Sequence, residues 1–261
     1  MKEYESLIFS KQDGLASITL HRPASANSMN YTLARELADA AQAIDSDPAI
    51  KAVIVTGSGR FFCAGGDIIS MAKLDEGLPL EVKRMADELH KAISTFARMS
   101  APVIMAVNGT AAGAGFSLAI TGDLVIACES SSFTMAYTNA GLSPDGSSSF
   151  YLPRLIGIRK TQELMFTNRV LSARDALEWN LIHRVVADED LQKQAQDMAE
   201  TLLTGARASN AAIKKLLLQT FENGLETQME IEGRCIRDCA ASSDGVEGIN
   251  AFAEKRKPNF E

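Results

Sequence analysis

The stretch PVIMAVNGTAAGAGFSLAITGDLVIA, residues 102–127, decides the fold. It opens with an apolar run, passes through a turn of glycine and alanine, continues as a small-residue helical stretch and ends in a second apolar run. Continuous apolar strands, without alternation, predict a sheet that is covered on both faces. The stretch therefore predicts a strand, a turn, a helix and a strand of an α/β protein.

A second glycine-rich turn lies upstream, in RFFCAGGDI at residues 60–68, directly after the apolar run AVIVTG. Glycine and alanine let a ligand approach the backbone closely, and a helix that begins there directs free N–H groups at it. Neither turn has the pattern of a dinucleotide or nucleotide phosphate loop. Tight packing alone could explain either turn taken singly, but two of them together predict an oxyanion hole.

The rest of the chain extends this pattern in both directions. Residues 7–23 predict a hairpin around an Asp13-Gly14 turn, and residues 31–59 predict a helix followed by a β-branched strand. A further helix is predicted over about 81–99. Beyond Pro153 the periodicity is helical, apart from a possible strand in LIHRVV, with helices predicted over 159–168, 172–179, 189–204, 208–222, 225–240 and 244–256. We expect a core over 1–200 that holds the ligand site and a C-terminal helical region over 201–261.

Composition excludes several classes of function. The formal charge of −7 and the lack of a basic stripe argue against nucleic acid as a partner, and the longest apolar region is too interrupted for a membrane span. The four cysteines form neither a disulfide framework nor a metal site, and early charges argue against a signal peptide. We expect a cytoplasmic protein. His21, His183 and Trp179 adjoin no motif and are interpreted as structural.

The chain resembles the enoyl-CoA hydratase/isomerase (crotonase) superfamily along essentially its whole length. The blocks that carry the resemblance are HRPASANSMN (21–30), FFCAGGDI (61–68), residues 102–127, GLSPDGSSSFYLPRLIG (141–157), LSARDALEWNLIHRVV (171–186) and EGINAFAEKRKPNF (247–260). The resemblance implies a crotonase-like α/β fold, with a repeated β-β-α spiral core and a C-terminal helical trimerisation region. It further implies trimers or hexamers, and a coenzyme A thioester as substrate with no separate cofactor.

The resemblance also implies roles for individual residues. The main-chain N–H groups of Gly66 and Ala114 would hold the thioester oxygen. Such donors typically contribute about 2.7–4 kcal/mol each when aimed at a developing oxyanion. Coenzyme A would be bound by Ala24, Ser25, Ala26, Ala64, Asp67, Ile68 and Ile69, and Phe252 and Lys255 in the last helix would reach the coenzyme A of a neighbouring subunit or form an ordinary helix-face pair.

The sequence departs from the hydratases of this family at two positions. Those enzymes carry two glutamates, and the matching residues here are Ser117 and Tyr137. Addition of water to a double bond needs acid and base groups that activate the water. Ordinary hydratase activity is therefore not expected.

Asp145, between Pro144 and Gly146, has two interpretations. Taken alone, the pattern is typical of a turn in which the aspartate caps a helix. The segment is also similar to that of Δ3,Δ2-enoyl-CoA isomerases and phenylacetate-pathway epoxide isomerases, in which a single acid moves a proton between two carbons. Phe116, Tyr137 and Phe150 are expected to line the pocket around it, where desolvation raises and a helix N-terminus lowers a carboxyl pKa.

A different branch of the superfamily competes. The 4-chlorobenzoyl-CoA dehalogenases use an aspartate matching Asp145 as nucleophile, a histidine matching His90 as base and a tryptophan matching Tyr137. His90 lies twelve residues before Pro102, as in those enzymes, but it also fits the half-exposed face of an amphipathic helix. We expect isomerase chemistry, with dehalogenase-like or thioesterase-like chemistry and non-catalytic acyl-CoA binding as alternatives.

Overall fold

The computed structural model describes residues 3–74 and 77–260. The strands are β1 Leu7–Gln12, β2 Leu15–Leu20, β3 Ala52–Gly57, β4 Phe61–Cys63, β5 Val103–Val107, β6 Thr110–Ala112, β7 Leu124–Cys128, β8 Ser132–Thr134, β9 Leu171–Ser172 and β10 Arg184–Val186. The helices are α1 Tyr31–Asp45, α2 Ile68–Met71, α3 Leu78–Arg98, α4 Ala114–Ala119, α5 Ser148–Thr167, α6 Ala173–Glu178, α7 Leu191–Leu203, α8 Arg207–Gln219, α9 Leu225–Ala240 and α10 Ser243–Ala253.

Two sheets run side by side through the core. The first has the order β1-β2-β3-β5-β7-β10 and the second the order β4-β6-β8-β9. Strands β3, β5 and β7 are each followed by a strand of the second sheet, namely β4, β6 and β8. Helices return the chain to the first sheet after β4 and β6, whereas after β8 helix α5 leads to β9 of the second sheet and α6 then leads to β10 of the first. The predicted repeat of two strands and a helix is therefore confirmed, and it places the turns after β4 and β6 next to each other.

Glycine allows these two turns to touch. A Cβ on Gly115 would lie 2.2 Å from the carbonyl oxygen of Cys63, and one on Gly65 would lie 2.9 Å from that of Ala112. Backbone packed this closely leaves no room for a side chain. Parallel pairing of β4 with β6, with a shift of register between Phe61 and Cys63, brings the two turns together.

The core lies on both faces of the first sheet. The larger buried cluster includes side chains of α1 and α3 and the fully buried Phe62 of β4, Phe96 of α3 and Phe116 of α4. On the other face Leu191, Ala195 and Ala199 of α7 cover β3, β5 and β7. The apolar strands are thus shielded on both sides, as their lack of alternation predicts.

Several predicted boundaries are corrected. Helix α5 begins at Ser148, eleven residues before the predicted start, and its helical dihedrals are interrupted at Gly157, whose φ is 76°. The hairpin, the strand β10 and the succession of C-terminal helices are confirmed. The division at residue 200 stays a prediction. Hydrogen bonds join the two sides of this division, since the buried Lys214 ammonium donates to the carbonyl oxygens of Phe96 and Ala101 and to the Asp123 carboxylate. No helix within the described residues is both long and apolar enough to cross a membrane.

Candidate active site

A cavity of about 320 Å³ opens where the two glycine turns meet the start of α5. Its wall is mostly apolar. The lining residues are Ala64, Gly65, Gly66, Ile68, Met71, Pro79, Val82, Lys83, Met85, Ala86, Leu89, Gly113, Ala114, Ala136, Tyr137, Ala140, Leu142, Ser143 and Asp145. Among these residues, Asp145 alone carries a carboxylate.

Gly66 and Ala114 both line this cavity. Ala114 is the first residue of α4, so its N–H has no acceptor inside the helix. In the part of the chain that the structure describes, the Gly66 N–H donates to no backbone carbonyl of a turn or loop. Two N–H groups without backbone acceptors thus flank one cavity, and such groups can stabilise a developing negative charge on a ligand oxygen.

Asp145 lies at the end of a short chain of hydrogen bonds. The Tyr137 hydroxyl donates to Asp145 Oδ1 over 2.6 Å, and the Ser117 hydroxyl lies 2.9 Å from the Tyr137 hydroxyl. Ser117 is fully buried and Tyr137 is 9% exposed. Burial and the neighbouring Asp145 carboxylate raise the pKa of the Tyr137 phenol far above its ordinary value, so the phenol stays protonated.

His90 reaches the same turn from α3. Its Nε2 accepts a hydrogen bond from the Gly146 N–H over 3.1 Å and lies 3.7 Å from Asp145 Oδ2. The nearby Asp145 carboxylate, opposed by partial burial, raises the pKa of His90. Nε2 needs a lone pair for the first contact and a proton for the second. The two contacts therefore belong to different states of Nε2, one without and one with a proton.

Two expectations about Asp145 are wrong. Its carboxylate does not cap α5, because it contacts Tyr137 and His90, and the N-cap residue of α5 is Ser147. Phe116 and Phe150 do not line the cavity. The Phe116 ring faces the core and packs on Phe133, while the guanidinium of Arg154 lies 3.6 Å from the Phe150 ring centroid, outside the cavity.

The segments expected to bind coenzyme A lie against one another. Ala24 and Ser25 form a short 3₁₀ helix, and the Ala64 N–H donates to the carbonyl oxygen of Ala26 over 3.0 Å. Ile68 and Ile69 are 48% and 76% exposed, so apolar surface faces solvent beside the cavity. These contacts join the loop after β2 to the first glycine turn.

The Asp67 side chain is engaged in holding that turn. It pairs with Arg22 over 2.9 Å and accepts from the Ser70 N–H over 3.1 Å. Burial raises the carboxyl pKa, but these hydrogen bonds outweigh it and hold the pKa of Asp67 below its ordinary value. A coenzyme A contact of this carboxylate stays a prediction.

Phe252 and Lys255 do not belong to the cavity of their own chain. Phe252 lies on α10 and is 87% exposed, and Lys255 follows the same helix. A contact across a subunit boundary stays a prediction. No cluster of metal-ligating side chains occurs among residues 3–74 and 77–260.

Sequence reasoning missed part of the cavity wall. The missed residues are Ala86 and Leu89, which continue the helical spacing of Val82 and Met85 on one face of α3, a signal that was present in the sequence. The segment 71–85 contributes Met71, Pro79, Val82, Lys83 and Met85 to the wall of the cavity, while residues 75–76 lie outside the described residues. The contact of Ser117 with Tyr137 was also missed, because residues twenty positions apart carry no local signal of proximity.

The spiral of two-strand units and the cavity between glycine turns define a protein of the crotonase fold. The family model of enoyl-CoA hydratase/isomerase matches residues 10–261, and the chain belongs to this family. A 1,2-epoxyphenylacetyl-CoA isomerase of Escherichia coli is 36% identical, with 98% of each chain covered. A crotonyl-CoA hydratase of Syntrophomonas wolfei is 33% identical, again with 98% of each chain covered. The crystal structure of an enoyl-CoA hydratase from Polaromonas superposes with a TM-score of 0.93 at 32% identity, covering 98% of this chain and 99% of that one.

Proposed function

We propose that the protein is an acyl-CoA isomerase that moves a double bond from the Δ3 to the Δ2 position, or catalyses a related ring isomerisation. The observation that carries this proposal is the single carboxylate of Asp145 in a cavity flanked by the N–H groups of Gly66 and Ala114. One carboxylate suffices for this reaction because no water is added.

In the proposed reaction the Asp145 carboxylate removes a proton from C2 of a 3-enoyl thioester. The electron pair moves onto the thioester oxygen, and the N–H groups of Gly66 and Ala114 hold the resulting dienolate. Asp145, now protonated, returns the proton to C4, which leaves the double bond between C2 and C3. Atoms and charge balance without a second reactant.

Two further points favour isomerisation over hydration. The positions of the hydratase glutamates hold Ser117 and Tyr137, and these side chains bind to each other and to Asp145. The relatives of this chain include hydratases and isomerases. A trans-2-decenoyl-[acyl-carrier-protein] isomerase of Streptococcus mutans, 29% identical over 98% of its length, is a second isomerase among them.

The proposal is tested by incubating the purified protein with cis-3-enoyl-CoA esters while following the ultraviolet absorbance of the conjugated thioester. Crotonyl-CoA serves as the matched hydration substrate. We expect isomerisation of at least one straight-chain or ring-bearing ester and slow loss of crotonyl-CoA absorbance. Failure with every ester, or hydration as fast as isomerisation, contradicts the proposal.

A second candidate is dehalogenase-like or thioesterase-like chemistry, which the 3.7 Å separation of His90 Nε2 and Asp145 Oδ2 favours. Asp145 would act as nucleophile and His90 as base toward water. Two points oppose this candidate. The neutral imidazole of His90 already accepts a hydrogen bond from the Gly146 N–H, and Tyr137 stands where those enzymes carry tryptophan.

This second candidate predicts halide release from 4-halobenzoyl-CoA. Substitution of His90 by glutamine would then trap an arylated Asp145, detectable as added mass on the intact protein. An acyl-CoA-binding protein without activity would bind these esters and convert none of them.

We also propose assembly as trimers or hexamers, in the cytoplasm. Large apolar side chains of α8, α9 and α10 are exposed in the single chain: Ile213, Leu217, Leu225, Met229, Ile236, Val246, Ile249 and Phe252. Exposed apolar surface of this extent is typical of an interface between subunits.

A further inference from the structure

We infer that Tyr137 is a positioning residue, which fixes the Asp145 carboxylate through one oxygen and is itself held by Ser117. The inference rests on the proposed function, since the carboxylate that Tyr137 holds is the proposed proton carrier. The tyrosine occupies a position at which hydratases of this family carry a glutamate. In this chain the side chain at that position orients the Asp145 carboxylate.

The direction of the hydrogen bonds follows from the chemistry of the groups. An ionised carboxylate only accepts hydrogen bonds, so the Tyr137 hydroxyl donates its one proton to Asp145 Oδ1 over 2.6 Å. The Ser117 hydroxyl, 2.9 Å away, must then donate to the tyrosine oxygen. Each hydrogen bond polarises the next, so the bond from Ser117 strengthens the hydrogen bond that the Tyr137 hydroxyl donates to Asp145.

Burial restrains Ser117 and Tyr137 more than it restrains the Asp145 side chain. Ser117 is fully buried and the Tyr137 ring nearly so, whereas 30% of the Asp145 side chain is exposed. The loop that carries Tyr137 is also tied down, because the Asn168 amide donates to the Asn139 side chain over 3.0 Å and the Thr134 hydroxyl donates to the Asn168 carbonyl. The tyrosine is therefore a rigid donor to a carboxylate that is otherwise partly free to turn.

The two oxygens of Asp145 are thereby made unequal. Oδ1 is held by Tyr137, whereas Oδ2 accepts no side-chain hydrogen bond within the described residues and lies 3.7 Å from the His90 imidazole. We assign the shuttled proton to Oδ2. A fixed plane for the carboxylate lets the same oxygen reach C2 and C4 in turn without rotation of the side chain.

Tyr137→Phe tests this assignment kinetically, with Tyr151→Phe as the control that removes the hydroxyl of a half-buried tyrosine outside the cavity. Misplacement of a catalytic group by about 1 Å can cost roughly a hundredfold in rate, so we expect kcat to fall by roughly ten- to a hundredfold in Tyr137→Phe. KM should stay nearly unchanged, because the wall of the cavity is kept. Tyr151→Phe should behave as the unsubstituted protein. If Tyr137→Phe does not fold, Ser117→Ala takes its place, with a smaller loss of kcat.

A second measurement does not depend on activity. With tyrosine labelled with ¹³C at Cζ, the Tyr137 resonance is identified by its absence from Tyr137→Phe. It should move in Asp145→Ala, while the Tyr151 resonance stays in place. An unchanged Tyr137 resonance, or wild-type kcat in Tyr137→Phe, overturns the inference. If no ester is isomerised at all, the proposed function fails, and the resonance alone decides whether Tyr137 holds the carboxylate.

Discussion

Gly146 packs directly onto Ser117: a Cβ placed on Gly146 would lie 2.7 Å from the Ser117 Cβ. Gly146 also has a φ of 58°, a conformation that favours glycine. The turn that presents Asp145 thus closes over the position at which hydratases of this family carry a glutamate. Loss of that glutamate and the close approach of the Asp145 turn are two aspects of one packing arrangement.

Restoring both glutamates should not restore hydration. In Ser117→Glu/Tyr137→Glu the longer side chain at 117 collides with the Gly146 turn, and overpacking of this kind costs about 1–3 kcal/mol of stability. We expect a lower midpoint of thermal unfolding and no hydration of crotonyl-CoA. Ser117→Ala, which adds no volume and loses only the hydrogen bond to Tyr137, is the control and should unfold at a higher temperature than the double variant. Rapid hydration by the double variant would contradict this explanation.

Asp145→Asn should remove isomerisation while leaving binding intact. Loss of a general acid/base typically costs about two to four orders of magnitude in rate, and asparagine keeps the shape of the side chain. Coenzyme A ester affinity, measured by calorimetry, and oligomer size should stay nearly unchanged. Asp188→Asn, at an exposed aspartate outside the cavity, is the matched control. A fully active Asp145→Asn would overturn the proposed mechanism.

The sequence predicted the fold and the place of the cavity better than it predicted the contacts within the cavity. Apolar strands and glycine turns are local patterns, and they correctly predicted the sheet and the meeting of the two glycine turns at one cavity, while the roles of Gly66 and Ala114 stay a prediction. The surroundings of Asp145 depend on how α3 and α5 lie across the core. His90 is fifty-five positions from Asp145, and the ring of Phe150 turns toward Arg154, one helical turn further along α5. Neither contact could be predicted from local periodicity.

Lys214→Met should destabilise the fold. The ammonium group is 5% exposed, lies 2.6 Å from Asp123, and donates to the carbonyl oxygens of Phe96 and Ala101. Hydrogen bonds to a charged group contribute about 1.5–3 kcal/mol, and its removal leaves buried acceptors without a donor. We expect a loss of that size in denaturant unfolding, with the exposed neighbour Lys215→Met as control. Equal stability of the two variants would contradict the prediction.

The apolar face of the C-terminal helices predicts an assembly that depends on those side chains. Replacement of Ile236 and Phe252, which are 72% and 87% exposed, by serine should weaken subunit association without disturbing the core of the chain. Sedimentation velocity should show trimers or hexamers for the wild type and smaller species for the double variant. The matched control is Phe166→Ser on α5, at a side chain 78% exposed outside these helices. A wild-type monomer at micromolar concentration would refute the proposed assembly.

The contribution of His90 to stability should depend on pH. Its pKa in the folded protein is raised by the Asp145 carboxylate, with the Asp87 carboxylate adding to the effect and partial burial and Lys83 opposing it. A raised pKa means that folding favours the protonated imidazole. The resulting stabilisation is complete below the unfolded pKa of about 6.5 and is lost as the pH rises through the higher folded value. The wild type should therefore exceed His90→Gln in unfolding temperature more at about pH 6 than at about pH 9. Half of the side chain is exposed, at 49%, so salt should reduce the difference at the lower pH. An advantage that grows with pH would show that the neutral imidazole, bound to the Gly146 N–H, is the form that the fold favours.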